Sequence, residues 1–133
     1  MTEALEDEYK SRSTYRKVIE KFGVVRPFVN IVEAEERHVG ALLALFGKYR
    51  ITPPDDRWPE RVTVPDTLEE ACRNAVEDEK TNRVMYDRLL AGTSESDIRH
   101  VLENLQSASC DRHIPVFERC ASRGGKGRTR KGC

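Results

Sequence analysis

The sequence predicts an all-α fold of four helices in which a long crossover joins the second helix to the third. Three observations predict it. Apolar residues recur at alternating steps of three and four over several long segments, the period of one helical face. Charged residues make up 35% of the chain against 38% hydrophobic, so core stripes must be narrow and outer faces charged. Four of the six prolines fall within residues 51–66, so what breaks helix is largely confined to one place.

The first helix is expected from about Glu3 to Phe22, with Leu5, Glu8, Arg12, Tyr15, Ile19 and Phe22 on one stripe and Gly23 as a left-handed stop. Pro27 suits the first turn of a second helix running to about Tyr49. So short a link makes the two helices antiparallel neighbours. Residues 51–66 are not helical; extended, they reach roughly 50 Å, more than the roughly 33 Å of a 22-residue helix, so the connection can cross the whole molecule. A third helix opens at Thr67-Leu68-Glu69-Glu70, a capping box, and continues to about Ala91 with Leu68, Cys72, Ala75, Glu79, Asn82, Tyr86 and Leu89 on its stripe. A fourth starts near Ser94 or Ser96, both suitable N-caps, and carries Leu102, Leu105, Ser109, His113, Val116, Phe117 and Cys120; Pro115 should kink it or loosen one turn.

At 133 residues the chain fits one domain, residues 1–122, followed by a tail, 123–133, with five basic residues, no acidic ones and nothing apolar before its terminal Cys133. The tail is expected to be disordered and solvated; without aromatic residues for stacking it makes a poor nucleic-acid site. Residues 1–122 carry 18 basic and 23 acidic groups. No run approaches the roughly 20 apolar residues a bilayer span needs, and the acidic N-terminus is unlike a secretory signal, so a soluble cytoplasmic protein is expected. Cys72, Cys110, Cys120 and Cys133 lack Cys-x-x-Cys spacing; free thiols are the default, with a Cys120–Cys133 disulfide as the alternative.

The residues that point to function are polar ones on core stripes. In the second helix Phe28, Ile31, Glu35, His38, Leu42, Leu45 and Tyr49 share one face, so an acid and an imidazole stand where core belongs. Glu and His at i and i+3 project from consecutive turns and can offer two ligands to one ion. The pattern recurs: Glu8-x6-Tyr15 precedes Glu35-x-x-His38, and Glu79-x6-Tyr86 precedes Cys110-x-x-His113, so the helix pairs look duplicated. Buried glutamates cost several kcal/mol each if ionised and unpaired, so protons, arginines or cations must neutralise them. Arg12, on the first stripe, is the alternative partner for Glu8 or Glu35 in a purely structural ion pair.

On Glu8-x6-Tyr15, the segment Val29 to His38, and Leu105 to Phe117 with Ser109-x-x-x-His113, the chain resembles the ferritin-like superfamily, more closely a small-domain group within it of unassigned function. The resemblance spans about residues 4–121. It implies a ferritin-like four-helix bundle with a long crossover between helices 2 and 3, carrying two iron or manganese ions. Such proteins oxidise ferrous iron, reduce peroxide or activate dioxygen. The implied metal ligands are Glu8, Glu35, His38, Glu79 and His113, with Glu35 and Glu79 as bridging candidates. Cys110 departs from the pattern, standing where the second Glu-x-x-His would place its acid; zinc, or a single ion, is the alternative to a full pair, and Asp111 is turned about 100° away. Metal ions and small oxidants are the expected partners, a homodimer is a candidate assembly, and a degenerate bundle acting as a scaffold is the competing reading.

Overall fold

A computed structural model describes residues 1–122; the predicted basic tail and Cys133 lie outside the described residues. Among the described residues the chain is all-helical, without a strand. It divides at Val64/Pro65 into two compact units.

The first unit is a helical hairpin with the crossover segment laid along it. Helix α1 spans Thr2–Phe22 and α2 spans Phe28–Lys48. Gly23 ends α1 with φ of 92°, a conformation that a side chain would strain, and its N–H closes the helix on the Ile19 carbonyl. Pro27, preceded by a cis peptide bond, sits at the N-cap of α2, where its missing N–H costs nothing. Tyr15 and Phe28 meet edge-to-face with ring centroids 5.6 Å apart, both fully buried, and each contributes roughly 1.5–3 kcal/mol of burial energy. The buried face of α1 is Ala4, Leu5, Glu8, Tyr9, Ser13, Tyr15 and Val18. Ile19 and Phe22, expected on the stripe, are only half-buried at the helix end. Tyr49 departs further: it follows the last residue of α2 and is 37% exposed.

The crossover is held to α1 by named bonds. Trp58 opens a single 3-10 turn, Trp58–Glu60, and its indole N–H donates to Glu6 Oε1 at 2.8 Å while Lys10 and Arg61 lie over its ring. The Tyr9 hydroxyl donates to the Pro54 carbonyl at 3.2 Å, and Lys17 Nζ to the Val62 carbonyl at 3.2 Å. Burial, and then the Asp56 carboxylate, pushes the Tyr9 phenol above its ordinary pKa, so it remains a donor.

The second unit pairs α3, Leu68–Ala91, with a broken helix: α4 (Ser96–Ala108), a π-helical turn (Ser109–His113) and α5 (Ile114–Ala121). Thr67 caps α3 as expected, its hydroxyl accepting from the Glu70 N–H at 3.1 Å. The N-cap of α4 is Glu95 rather than Ser94 or Ser96, and its side chain makes no capping bond. Pro115 explains the π turn: proline has no N–H for the helical ladder and its ring crowds the preceding turn, so the helix widens ahead of it and the Ile114 N–H bonds back to the Ser109 carbonyl.

The cysteines depart from the free-thiol expectation. Cys72 on α3 is disulfide-bonded to Cys120 on α5, with Cα atoms 5.8 Å apart, so the alternative Cys120–Cys133 pairing does not form. Cys110 is disulfide-bonded as well, and no described cysteine is a free thiol. Composition could not reveal this, since the spacing of cysteines does not determine which of them fold together.

Candidate metal centre

Each unit carries a buried carboxylate–imidazole cluster, and the two are built differently. In the first unit Glu8 on α1 and Glu35 on α2 are both 2% exposed. His38, one turn beyond Glu35, points its Nδ1 between them, 3.2 Å from Glu8 Oε1 and 3.5 Å from Glu35 Oε1. One ring N–H can serve only one of two carboxylates, whereas a divalent ion engages both. The three ligand atoms lie within 4.8 Å of one another. Oxygen and nitrogen ligands about 2.0–2.2 Å from a shared ion stand at most about 4.4 Å apart, so these side chains need to close by only a few tenths of an ångström. Two hard carboxylates with one imidazole suit iron, manganese or zinc.

Arg12 does not partner the buried glutamates. Its two terminal nitrogens donate to Glu36 Oε1 at 2.9 Å and to Asp56 Oδ2 at 3.0 Å. The structural ion pair proposed for Arg12 with Glu8 or Glu35 is therefore absent. The reason is rotational: Glu36 stands one residue, about 100°, round α2 from Glu35, on the flank that Arg12 reaches.

In the second unit Glu79, 3% exposed, meets His113 across the hairpin, Nδ1 to Oε1 3.4 Å, and His113 is equally buried. The neighbour of this pair is Ser109, not Cys110. Ser109 Oγ lies 2.7 Å from Glu79 Oε1 and 2.9 Å from Asn82 Oδ1. One hydroxyl proton cannot serve two acceptors; the carboxylate is the stronger, and a half-turn of the Asn82 amide lets its N–H donate to the serine oxygen. The π turn makes this arrangement. A turn holding more than four residues brings positions i and i+4 onto one face, so Ser109 and His113 point inward together while Cys110 is turned part-way out. The spacing Cys110-x-x-His113 assumed an unbroken α-helix. Cys110 is also excluded as a thiolate ligand because its sulfur is in a disulfide.

The five predicted ligands are thus placed as Glu8, Glu35 and His38 together in one unit, and Glu79 with His113 in the other. Ser109 was legible only as a stripe residue; Pro115, six residues on, was the sign that the register changes. His100 is an exposed surface residue beside Asn104. Ser109→Ala is expected to cost about 1–3 kcal/mol, because Glu79 and Asn82 each lose a buried partner. Urea denaturation checks it, and an unchanged midpoint would show that Ser109 does not hold the carboxylate.

No protein-family model matches the chain, and no curated protein does. Among solved structures, the crystal structure of a hypothetical protein from Methanococcus jannaschii DSM 2661 is similar over 98% of this chain and 82% of its own, with a TM-score of 0.82 and 23% sequence identity. At that identity the likeness is one of fold.

Proposed function

We propose that the chain is a ferritin-like metal-binding protein, its helices forming a four-helix bundle with a long crossover, that holds iron for chemistry on ferrous iron, dioxygen or peroxide. Manganese and zinc are the alternative ions. The observation that supports this most is the Glu8–Glu35–His38 cluster: two buried carboxylates and an imidazole with ligand atoms within 4.8 Å, while the nearby arginine is spent on other acids. Proteins avoid burying such groups unless they are paired or ligated.

A bound iron or manganese ion would supply Lewis acidity and one-electron redox chemistry, and zinc Lewis acidity alone. The residues of this chain bind and orient it: Glu8 and Glu35 balance its charge, His38 completes the set through Nδ1, and burial withholds bulk water, which strengthens each electrostatic contact. In the second unit Glu79 and His113 are the remaining proposed donors, with Ser109 orienting the carboxylate. That same hydrogen bond favours the second reading, a non-catalytic scaffold, for this half of the chain. Such a network satisfies its acid without metal.

No helix among the described residues is long and apolar enough to cross a membrane. A cytoplasmic location fits the disulfides only where cytoplasmic thiols are kept oxidised, as in hyperthermophilic archaea and bacteria.

Metal content per chain tests the proposal. Protein produced in iron- and manganese-supplemented medium is expected to carry one or two ions per chain by elemental analysis, and Glu35→Gln to lose the ion of the first unit. Nothing above trace would overturn the metal reading.

A further inference from the structure

We propose that Arg12 is the positioning residue of the first unit's metal cluster, holding the Glu35–His38 turn of α2 against Glu8 through Glu36 and Asp56. The inference rests on the metal reading for its role, but its geometry stands apart from it. Arg12 lies one turn along α1 from Glu8, and Glu36 directly follows Glu35, so a bond between these two residues ties together the two helical turns that bear the ligands.

Both acids that meet Arg12 are held at each oxygen, while the buried Nε of Arg12 itself has no hydrogen-bond partner. Both Glu36 carboxylate oxygens are held, Oε1 by Arg12 and Oε2 by Arg16. Both Asp56 oxygens are held too, Oδ2 by Arg12 and Oδ1 by the Trp58 N–H at 3.1 Å. The Arg12 guanidinium lies over the Tyr9 ring, 5.4 Å from its centroid, and Tyr9 in turn bonds Pro54. One side chain, 15% exposed, therefore connects α1, α2 and the crossover. Fixing Glu36 on the flank of α2 sets the rotation of that helix about its axis, and a rotation of one residue would carry Glu35 about 100° away from Glu8. The planar guanidinium fork is what makes this feasible, since its terminal nitrogens reach two acids in divergent directions; an ammonium on a flexible stem is a poor substitute.

Cobalt(II) is the probe, because its visible absorption reports ligand geometry as well as occupancy. Arg12→Met is expected to weaken Co(II) binding by about 10–100-fold and to change the absorption bands while the helical circular dichroism is retained. Arg12→Lys should show an intermediate loss, and the exchange Arg12→Glu with Glu36→Arg should recover part of the affinity. Arg73→Met, which removes an exposed ion pair with Glu69 in the second unit, should change nothing.

A second readout needs no metal: nuclear Overhauser contacts between the His38 ring and the Glu8 side chain, present in the metal-free protein, should disappear in Arg12→Met. An Arg12→Met protein that keeps those contacts overturns the proposal, as does one that binds Co(II) within about twofold of the parent. If the parent takes up no Co(II), the metal reading fails, and the metal-free contacts alone decide the role of Arg12.

Discussion

Replacing Cys72 and Cys120 together by alanine is expected to lower the unfolding free energy by about 4 kcal/mol. The crosslink closes a loop with a sequence separation of 48, between the roughly 3 kcal/mol of a 15-residue loop and the roughly 4.7 kcal/mol of a 100-residue loop. The loss acts mainly through the unfolded chain, which regains the freedom the crosslink removed. Paired urea curves of the two oxidised proteins measure it, with Cys110 left intact in both so that its disulfide cancels. A difference below about 1 kcal/mol would mean that the crosslink does not constrain the chain. The placement of the bond gives this stability a local consequence. Cys72 lies seven residues before Glu79 on α3, and Cys120 seven residues after His113, so the disulfide anchors the same helix pair two turns from the Glu79–His113 contact. It is a covalent stop against slippage of the register that makes that contact.

Replacing Glu8 and Glu35 together by methionine is expected to have opposite effects with and without metal. Methionine matches glutamate in length and carries no charge to desolvate. The metal-free variant should therefore be more stable than the parent, by about 2 kcal/mol, as buried ionic groups replaced by apolar ones of similar volume often are. His38, with 14% of its side chain exposed, still reaches water and is not stranded by the change. With metal the order should reverse: an ion present at 100 times its dissociation constant adds about 2.7 kcal/mol to the parent and nothing to a variant without its carboxylates. Thermal denaturation with chelator and with iron(II) or manganese(II) measures both arms. Loss of stability in chelator would make the two acids structural members of the hairpin and would count against metal ligation.

Polar residues set on an apolar face are why the cluster could be noticed at all. Glu35 and His38 interrupt an otherwise apolar stripe, and the same local rule is broken again at Glu79, which is what singled these positions out. The ends of the helices were legible for equally local reasons. Gly23 can take a positive φ, Thr67 can cap, and prolines cannot continue a helix, whatever surrounds them. Ser109 on the core stripe was legible, but its place beside Glu79 was assigned to Cys110 because the α-helical spacing of Cys110-x-x-His113 was carried through a stretch where the backbone widens ahead of Pro115.

The chain order thus establishes the all-helical class, two helix pairs with their boundary in the proline-rich segment, and five acid and imidazole residues on inward faces. Each of these follows from periodicity and from the backbone freedom of single residues, which act over a few positions of chain. Packing within each unit decided the rest: which cysteines join, that Arg12 turns to Glu36 and Asp56, and that Ser109 rather than Cys110 stands beside Glu79. Those outcomes depend on distances between residues 20 to 50 positions apart and on the rotation of one helix against its neighbour. Neither quantity is carried by spacing along a chain.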